Sequence, residues 1–168
     1  YADGYVQYGK HQFKLWDSYG LSNYNVKTGS FVEDSRGRWY VCLVVDVVKT
    51  EQTTAKTSIG IDLGLKDLAT CSDGVKLKAP QIYRQYEQKL GIAQRAKNKK
   101  RVKAIHAKIK NIRQNMLHQF SHKLVNEHAA IFVGNVNAKA LAQTRLAKSV
   151  LDASWTTLRT MLKYKCEN

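Results

Sequence analysis

Proline occurs once in the 168 residues, at Pro80, and acidic side chains are scarce, with 13 Asp+Glu against 28 Lys+Arg. The absence of proline after residue 80 leaves the rest of the chain free to form long helices. No apolar run approaches the ~20 residues that a membrane-spanning helix needs, and no signal-peptide pattern is present. Cysteine is limited to Cys42, Cys71 and Cys166, an odd number without a Cys-x-x-Cys pair. That excludes a paired disulfide framework and argues against a structural zinc site within these residues. Cys42 and Cys71 lie in apolar, strand-like stretches and read as buried free thiols, which suit a reducing cytosol. A glycine-rich phosphate loop is missing, and no Ser or Cys has a His-Asp setting that would make it a nucleophile. His118 and His122 are spaced i,i+4 on a helical stretch, but no third ligand accompanies them, so a solvated or phosphate-facing role is expected.

What is present in excess is positive charge, +15 in all, on a chain whose 43% hydrophobic content suffices for a core. Such a surface repels itself unless a polyanion is near, which makes nucleic acid the first partner to consider and an anionic membrane surface the second. The length accommodates one ordinary domain, or a small one with part of another.

Residues 1–50 are rich in Tyr, Val, Trp and Gly. Tyr5–Tyr8, Gln12–Trp16 and Arg38–Val48 read as short strands, with Gly9-Lys10, Gly20, Thr28-Gly29-Ser30 and Ser35-Arg36-Gly37 as turns. The expectation is a partial antiparallel β sheet or barrel whose aromatic residues mostly form its core, although exposed Tyr and Trp beside cations could stack on bases. Residues 51–57 read as a linker.

Pro80 precedes a helical region of about 80–128. Tyr86, Leu90 and Ala93 form one apolar stripe, and Ile105, Ile109, Ile112, Met116, Phe120 and Leu124 form a second. Residues 96–101 read as the turn of an antiparallel helical hairpin. Between Arg84 and Lys123 twelve basic residues stand against one acid, Glu87. A helix kept soluble by charge usually mixes signs to gain i,i+4 pairs, so one-sign crowding favours a phosphate backbone alongside. The candidate nucleic-acid-binding residues are Arg95, Lys97, Lys99, Lys100, Arg101, Lys103, Lys108, Lys110 and Arg113, with Arg145 in the later polar connection. Their contacts would position a strand without reading its sequence.

Ser58-Ile59-Gly60-Ile61-Asp62-Leu63-Gly64 is a strand pattern carrying a single carboxylate, followed by a second strand over Ala69-Thr70-Cys71 and a turn at Ser72-Asp73-Gly74. An unpaired buried carboxylate costs several kcal/mol unless it meets a cation. Asp62 is therefore either a metal ligand or a residue on the wet face of a half-exposed strand. Ala129–Val136 reads as a further short, buried, central strand. Ser149–Leu162 reads as an amphipathic helix with Leu151, Trp155, Leu158 and Leu162 inward, Ser149 as N-cap and Asp152 completing a capping box.

Gly60-Ile61-Asp62-Leu63-Gly64-Leu65-Lys66-Asp67-Leu68-Ala69-Thr70 resembles the first catalytic motif of the TnpB (OrfB) proteins, transposon-encoded RNA-guided DNA nucleases with a RuvC-like domain. The similarity continues through Lys108–Arg113, Leu117–Val125, Ala147–Trp155 and Leu162–Lys165, in the same order. It implies an α/β fold: an RNase H/RuvC-like mixed sheet over 58–168 with an inserted basic helical hairpin, preceded by a partial antiparallel β wedge. It implies Asp62 as a catalytic ligand of Mg²⁺, and DNA and a guide RNA as partners. A monomer in the prokaryotic cytoplasm, associated with the nucleoid, is the expectation. The resemblance also marks departures. Gly134 stands where the family's second catalytic residue is usually Glu, with Asn135 beside it, and neither supplies a carboxylate. The family's zinc ribbon and its last catalytic Asp have no counterpart here, which implies a fragment of a longer frame. Asp67, Asp73 and Glu127 are weaker candidates for a rescue ligand. Two functional classes therefore stay open, a divalent-metal DNA endonuclease and a nuclease-inactive nucleic-acid-binding remnant or regulator. A ribosome-associated RNA-binding protein would explain the charge but not the Asp62 motif.

Overall fold

Residues 4–17, 19–47, 56–136 and 154–167 are described by the computed structural model. They fall into two units, Tyr1–Lys49 and Thr50–Asn168.

In the first unit β1 (Tyr5–Tyr8) and β2 (His11–Lys14) form one antiparallel pair, and β3 (Val26–Glu33) and β4 (Trp39–Val45) form another. Thr28-Gly29-Ser30, expected as a turn, runs inside β3. Gly29 faces Leu43 across the ladder, and a Cβ there would stand 2.7 Å from Leu43 Cδ2. The glycine marks a close cross-strand approach, a use of strand glycine that composition does not separate from a turn. The aromatic residues expected as core are largely exposed, Trp16 at 92% and Tyr19 at 82%. Tyr8 and Phe13 instead each meet Phe31, Tyr8 edge-on and Phe13 tilted, with centroids 5.6 and 5.5 Å from it. Cys42, expected buried, is exposed because it stands on the open side of a two-stranded sheet.

The β3–β4 turn is organised by Asp34, whose carboxylate accepts from the backbone N–H of Arg36 and Arg38 and from Arg38 Nε. The Arg38 backbone N–H, opposed by partial desolvation and reinforced by the Arg38 side chain, holds this carboxyl below the usual carboxylate range. A folded-state value below the unfolded one means stability that is full above about pH 4 and lost as pH falls through the folded value.

The second unit holds a four-stranded sheet in the order β7-β6-β5-β8, built from β5 (Ser58–Leu63), β6 (Asp67–Cys71), β7 (Lys76–Lys78) and β8 (Ala130–Val133). The first three run as an antiparallel meander, and β8 lies parallel to β5. A parallel neighbour requires a long crossover. Here it contains α1 (Ile82–Arg95) and the 29-residue α2 (Lys99–Glu127). β7, a Lys-Leu-Lys triplet, is too short to have been legible in the sequence. β8, expected buried and central, is half-buried with Phe132 66% exposed, and β5 is its one neighbour among the described residues.

Alternation along β5 sends Ile59, Ile61 and Leu63 into one core, with Leu68, Ala69, Cys71, Leu117, Phe120, Leu124 and the buried face of α3 (Trp155–Glu167). That face comprises Trp155, Leu158, Met161 and Leu162. Ser149, Leu151 and Asp152 lie outside the described residues. A second core joins the two helices of the hairpin through Ile82, Leu90, Ala93, Ile105 and Ile109. The first half of α2 therefore packs on α1, and its second half packs on the sheet and α3. The helix is about 44 Å long at 1.5 Å per residue, enough to serve both. Because its partners change direction midway, the buried stripe shifts: Ile112 is 38% exposed, and Leu117, absent from the expected stripe, is fully buried. The connecting turn is shorter than expected. Asn98 caps α2 by accepting from the Arg101 N–H at 2.9 Å, so Lys99, Lys100 and Arg101 belong to the first turn of the helix.

A polar clip fastens α3 to α2. Lys165 Nζ donates to the His118 carbonyl at 2.9 Å and to the buried Ser121 Oγ at 2.8 Å. Burial lowers the Lys165 pKa.

Truncating the two α2 leucine and isoleucine positions tests the shifted stripe. Leu117→Ala should cost about 2–5 kcal/mol in urea unfolding followed by helical circular dichroism, and Ile112→Ala roughly 1 kcal/mol or less. Equal losses would contradict the two-core arrangement. A second test follows Asp34 by NMR, where its carboxyl should titrate below the usual aspartate range and, in Arg38→Ala, move only part of the way back, because the backbone N–H groups of residues 36 and 38 still donate to it.

Candidate functional site

Asp62 stands on the face of β5 opposite the core, exposed, between the buried Ile61 and Leu63. The wet-face reading of this residue therefore describes its burial, and the face in question is a concave one. Asp62 lines an open groove of about 760 Å³ with Gly60, Thr70, Ser72, Phe132 and Gly134 among its walls. Thr70 is its direct partner across the antiparallel ladder. The groove's far side is fixed by reciprocal bonds: the Ser72 N–H donates to the Gly60 carbonyl at 2.8 Å, and the Gly60 N–H donates to Ser72 Oγ at 3.1 Å.

β8 delivers Gly134 beside Asp62. Parallel register pairs Ile61 with Val133, and the Gly134 N–H donates to the Ile61 carbonyl at 2.8 Å. A Cβ at position 134 would lie 3.7 Å from Asp62 Oδ1 and 3.3 Å from the Ile61 oxygen. Any side chain at this position would therefore start within contact of the Asp62 carboxylate. Glycine leaves that space open. Asn135 is engaged elsewhere, its Oδ1 accepting from Arg159 Nη1 at 3.5 Å while Arg159 Nη2 donates to the Gly134 carbonyl. Arg159, on α3, thus holds the end of β8. No sequence signal singled it out, because its partner carbonyl is visible only in the fold.

Among the residues lining the groove, Asp62 is the one carboxylate. Asp67 is tied to Lys76 at 3.8 Å, and the Asp73 carboxylate accepts from the Val75 N–H at 2.9 Å, so both shape the meander as hairpin residues. Among the described residues no three His, Cys, Asp or Glu side chains converge as a metal site. His118 Nδ1 lies 3.4 Å from the Tyr164 hydroxyl, and His122 Nε2 lies 3.1 Å from Asn126 Nδ2. The i,i+4 histidine pair is thus engaged within the helices.

The other concentration of chemistry is the hairpin. Arg95, Lys97, Lys99, Lys100, Arg101, Lys103, Lys108 and Lys110 are all exposed. Arg113 differs: it is half-buried and its Nε is sealed from solvent, because it sits where α2 passes from one core to the other. Arg145 lies outside the described residues. The four ion pairs among the described residues involve Lys27, Arg36, Arg38 and Lys76, none on the hairpin's exposed cations named above.

The sequence profile of the OrfB_IS605 family, described as "Probable transposase", matches residues 40–145. The chain belongs to this family. Within it, a Streptomyces pristinaespiralis protein named "Putative RNA-guided DNA endonuclease" is 33% identical over 146 residues, covering 79% of this chain and 36% of that protein. An Escherichia coli K12 protein named "Putative RNA-guided DNA endonuclease InsQ" is 28% identical over 163 residues, covering 80% of this chain and 40% of its own length. This OrfB_IS605 chain therefore spans well under half the length of these two curated relatives.

The space at position 134 can be tested with a cation. Gly134→Glu places a second carboxylate against Asp62, so in EDTA it should lower the melting temperature by several degrees through like-charge repulsion. Millimolar Mn²⁺ should restore the loss, whereas Asp62→Asn/Gly134→Glu, which lacks the repulsion, should show neither the EDTA loss nor a gain with Mn²⁺. Restoration independent of Asp62 would mean that the two positions do not face each other.

Proposed function

We propose that this chain is the wedge and RuvC-like portion of a TnpB-type transposon protein, and that its basic hairpin holds DNA and guide RNA by their phosphates. The observation that carries the reading is the set of exposed Lys and Arg from Arg95 to Lys110, unmatched by acids and mounted on helices anchored in the sheet core. Single-sign charge on an ordered scaffold raises the local concentration of a polyanion and positions its backbone. The topology supports the RuvC-like assignment: a three-stranded meander, a helical crossover, then a strand parallel to the first. The names of the two relatives supply the guide RNA and the DNA as partners of the reading.

The catalytic half of the reading is narrower. Two-metal phosphodiester cleavage gathers several carboxylates around ions about 4 Å apart. The described residues do not fit a magnesium pair, since Asp62 is the one carboxylate in the groove and Gly134 and Asn135 add none. We derive no cleavage step from them. Asp62 is assigned as the single ligand this stretch contributes, and the glycine at 134 favours the second reading, a nucleic-acid-binding protein without nuclease activity of its own.

The 168-residue chain should bind fluorescently labelled single-stranded DNA and an RNA–DNA hybrid with affinity that falls steeply with salt. Replacing Lys99, Lys100 and Arg101 by Ala should weaken binding about tenfold or more and reduce the salt slope by roughly 2–3. Asp62→Ala should bind as the unaltered chain does. Magnesium-dependent cutting that disappears in Asp62→Ala would overturn the inactive reading and establish the enzyme. Binding without salt dependence would overturn both.

A further inference from the structure

We propose that Tyr86 is a positioning residue that fixes Lys89 and Lys108 as a paired ammonium clamp for the sugar–phosphate backbone. The inference rests on the nucleic-acid reading above and adds a specific grip to it. Lys89 Nζ lies 5.8 Å from the centroid of the Tyr86 ring, and Lys108 Nζ lies 5.6 Å from the same centroid. Both distances are within the range of a cation–π contact. Lys89 is three residues along α1 from Tyr86 and shares its helix face. Lys108 comes from α2, so the ring gathers cations from both arms of the hairpin.

The ring is itself held. Tyr86 is half-buried and packs on the hairpin core of Ile82, Leu90, Ala93, Ile105 and Ile109. A lysine free in solvent loses much of its rotamer freedom when it grips a phosphate, and one already held against an aromatic face loses less. The two ammonium groups share one ring, and neither has a carboxylate within ion-pair distance among the described residues. A phosphodiester supplies the missing counter-charge and leaves the aromatic contacts in place. A simply solvated pair would gain more by separating into water, where lysine is strongly hydrated.

The test is fluorescence anisotropy of the whole chain with a labelled single-stranded oligonucleotide, across a range of NaCl concentrations. Tyr86→Phe should bind as the unaltered chain does, because the ring and not the hydroxyl holds the cations. Tyr86→Leu should weaken binding about 3- to 10-fold with little change in salt slope, since both cations remain but are no longer held. Lys89→Ala/Lys108→Ala should lower both affinity and slope, the slope by about 1–2. In that double variant, adding Tyr86→Leu should cost little more, the coupling expected of groups that act as a unit. A melting curve for each variant separates loss of fold from loss of grip. The clamp is wrong if Tyr86→Leu, still folded, binds normally or loses as much without the two lysines as with them. Absence of salt-dependent binding in the unaltered chain sinks the nucleic-acid reading itself, a result distinct from either.

Discussion

The ladder between β5 and β8 is the constraint on which the second unit depends. Its parallel sense obliges the chain to leave the sheet and return, and the excursion is the α1–α2 hairpin. The same hydrogen bonds bring residue 134 alongside Asp62 at the other end of the strand. One pairing thus sets both the groove and the platform. The alternation of β5 completes the division, with Ile59, Ile61 and Leu63 committed to the core and Gly60 and Asp62 left to the groove. Arg159 and the Lys165 clip then lock α3 against the end of β8 and the second half of α2.

Lysine plays two opposed roles in this arrangement. Lys165 is drawn inward to satisfy a carbonyl and a buried hydroxyl, and burial lowers its affinity for the proton. The hairpin lysines stay outside, and between the Arg84 and Lys123 positions a single acid interrupts the basic residues. Burial of a cation serves helix packing here, and the exposed ones are those proposed above to attract a polyanion. Arg113 stands between the roles, at the point where α2 changes packing partner.

Much of this was legible along the chain because it is periodic. The β5 alternation around Asp62, the hairpin's paired stripes and the one-sign charge are all local patterns, and the family resemblance rests on the same stretch. What escaped depended on partners distant in sequence. Leu117 is buried in place of Ile112 because the second half of α2 meets the sheet and α3, a change of direction that a constant helical period does not encode. Gly29 resembled a turn because the side chain of Leu43, which needs its space, lies on another strand. Cys42 and the aromatics of the first unit have core-like identities, yet a two-stranded sheet offers them little to pack against. At the groove, the family resemblance singled out positions 62 and 134, but the contact between those positions and the bonds of Arg159 belong to the fold.

The hairpin's cations, held on the sheet scaffold, are proposed as the surface that nucleic acid covers. Lysine acetylation footprinting of the 168-residue chain, with and without a single-stranded oligonucleotide and read by mass spectrometry, addresses it directly. Lys89, Lys97, Lys99, Lys100, Lys103, Lys108 and Lys110 should be protected on binding, with Lys76 and Lys78 on β7 labelled equally in both states. Unchanged labelling along the hairpin while the oligonucleotide is bound would contradict the proposal.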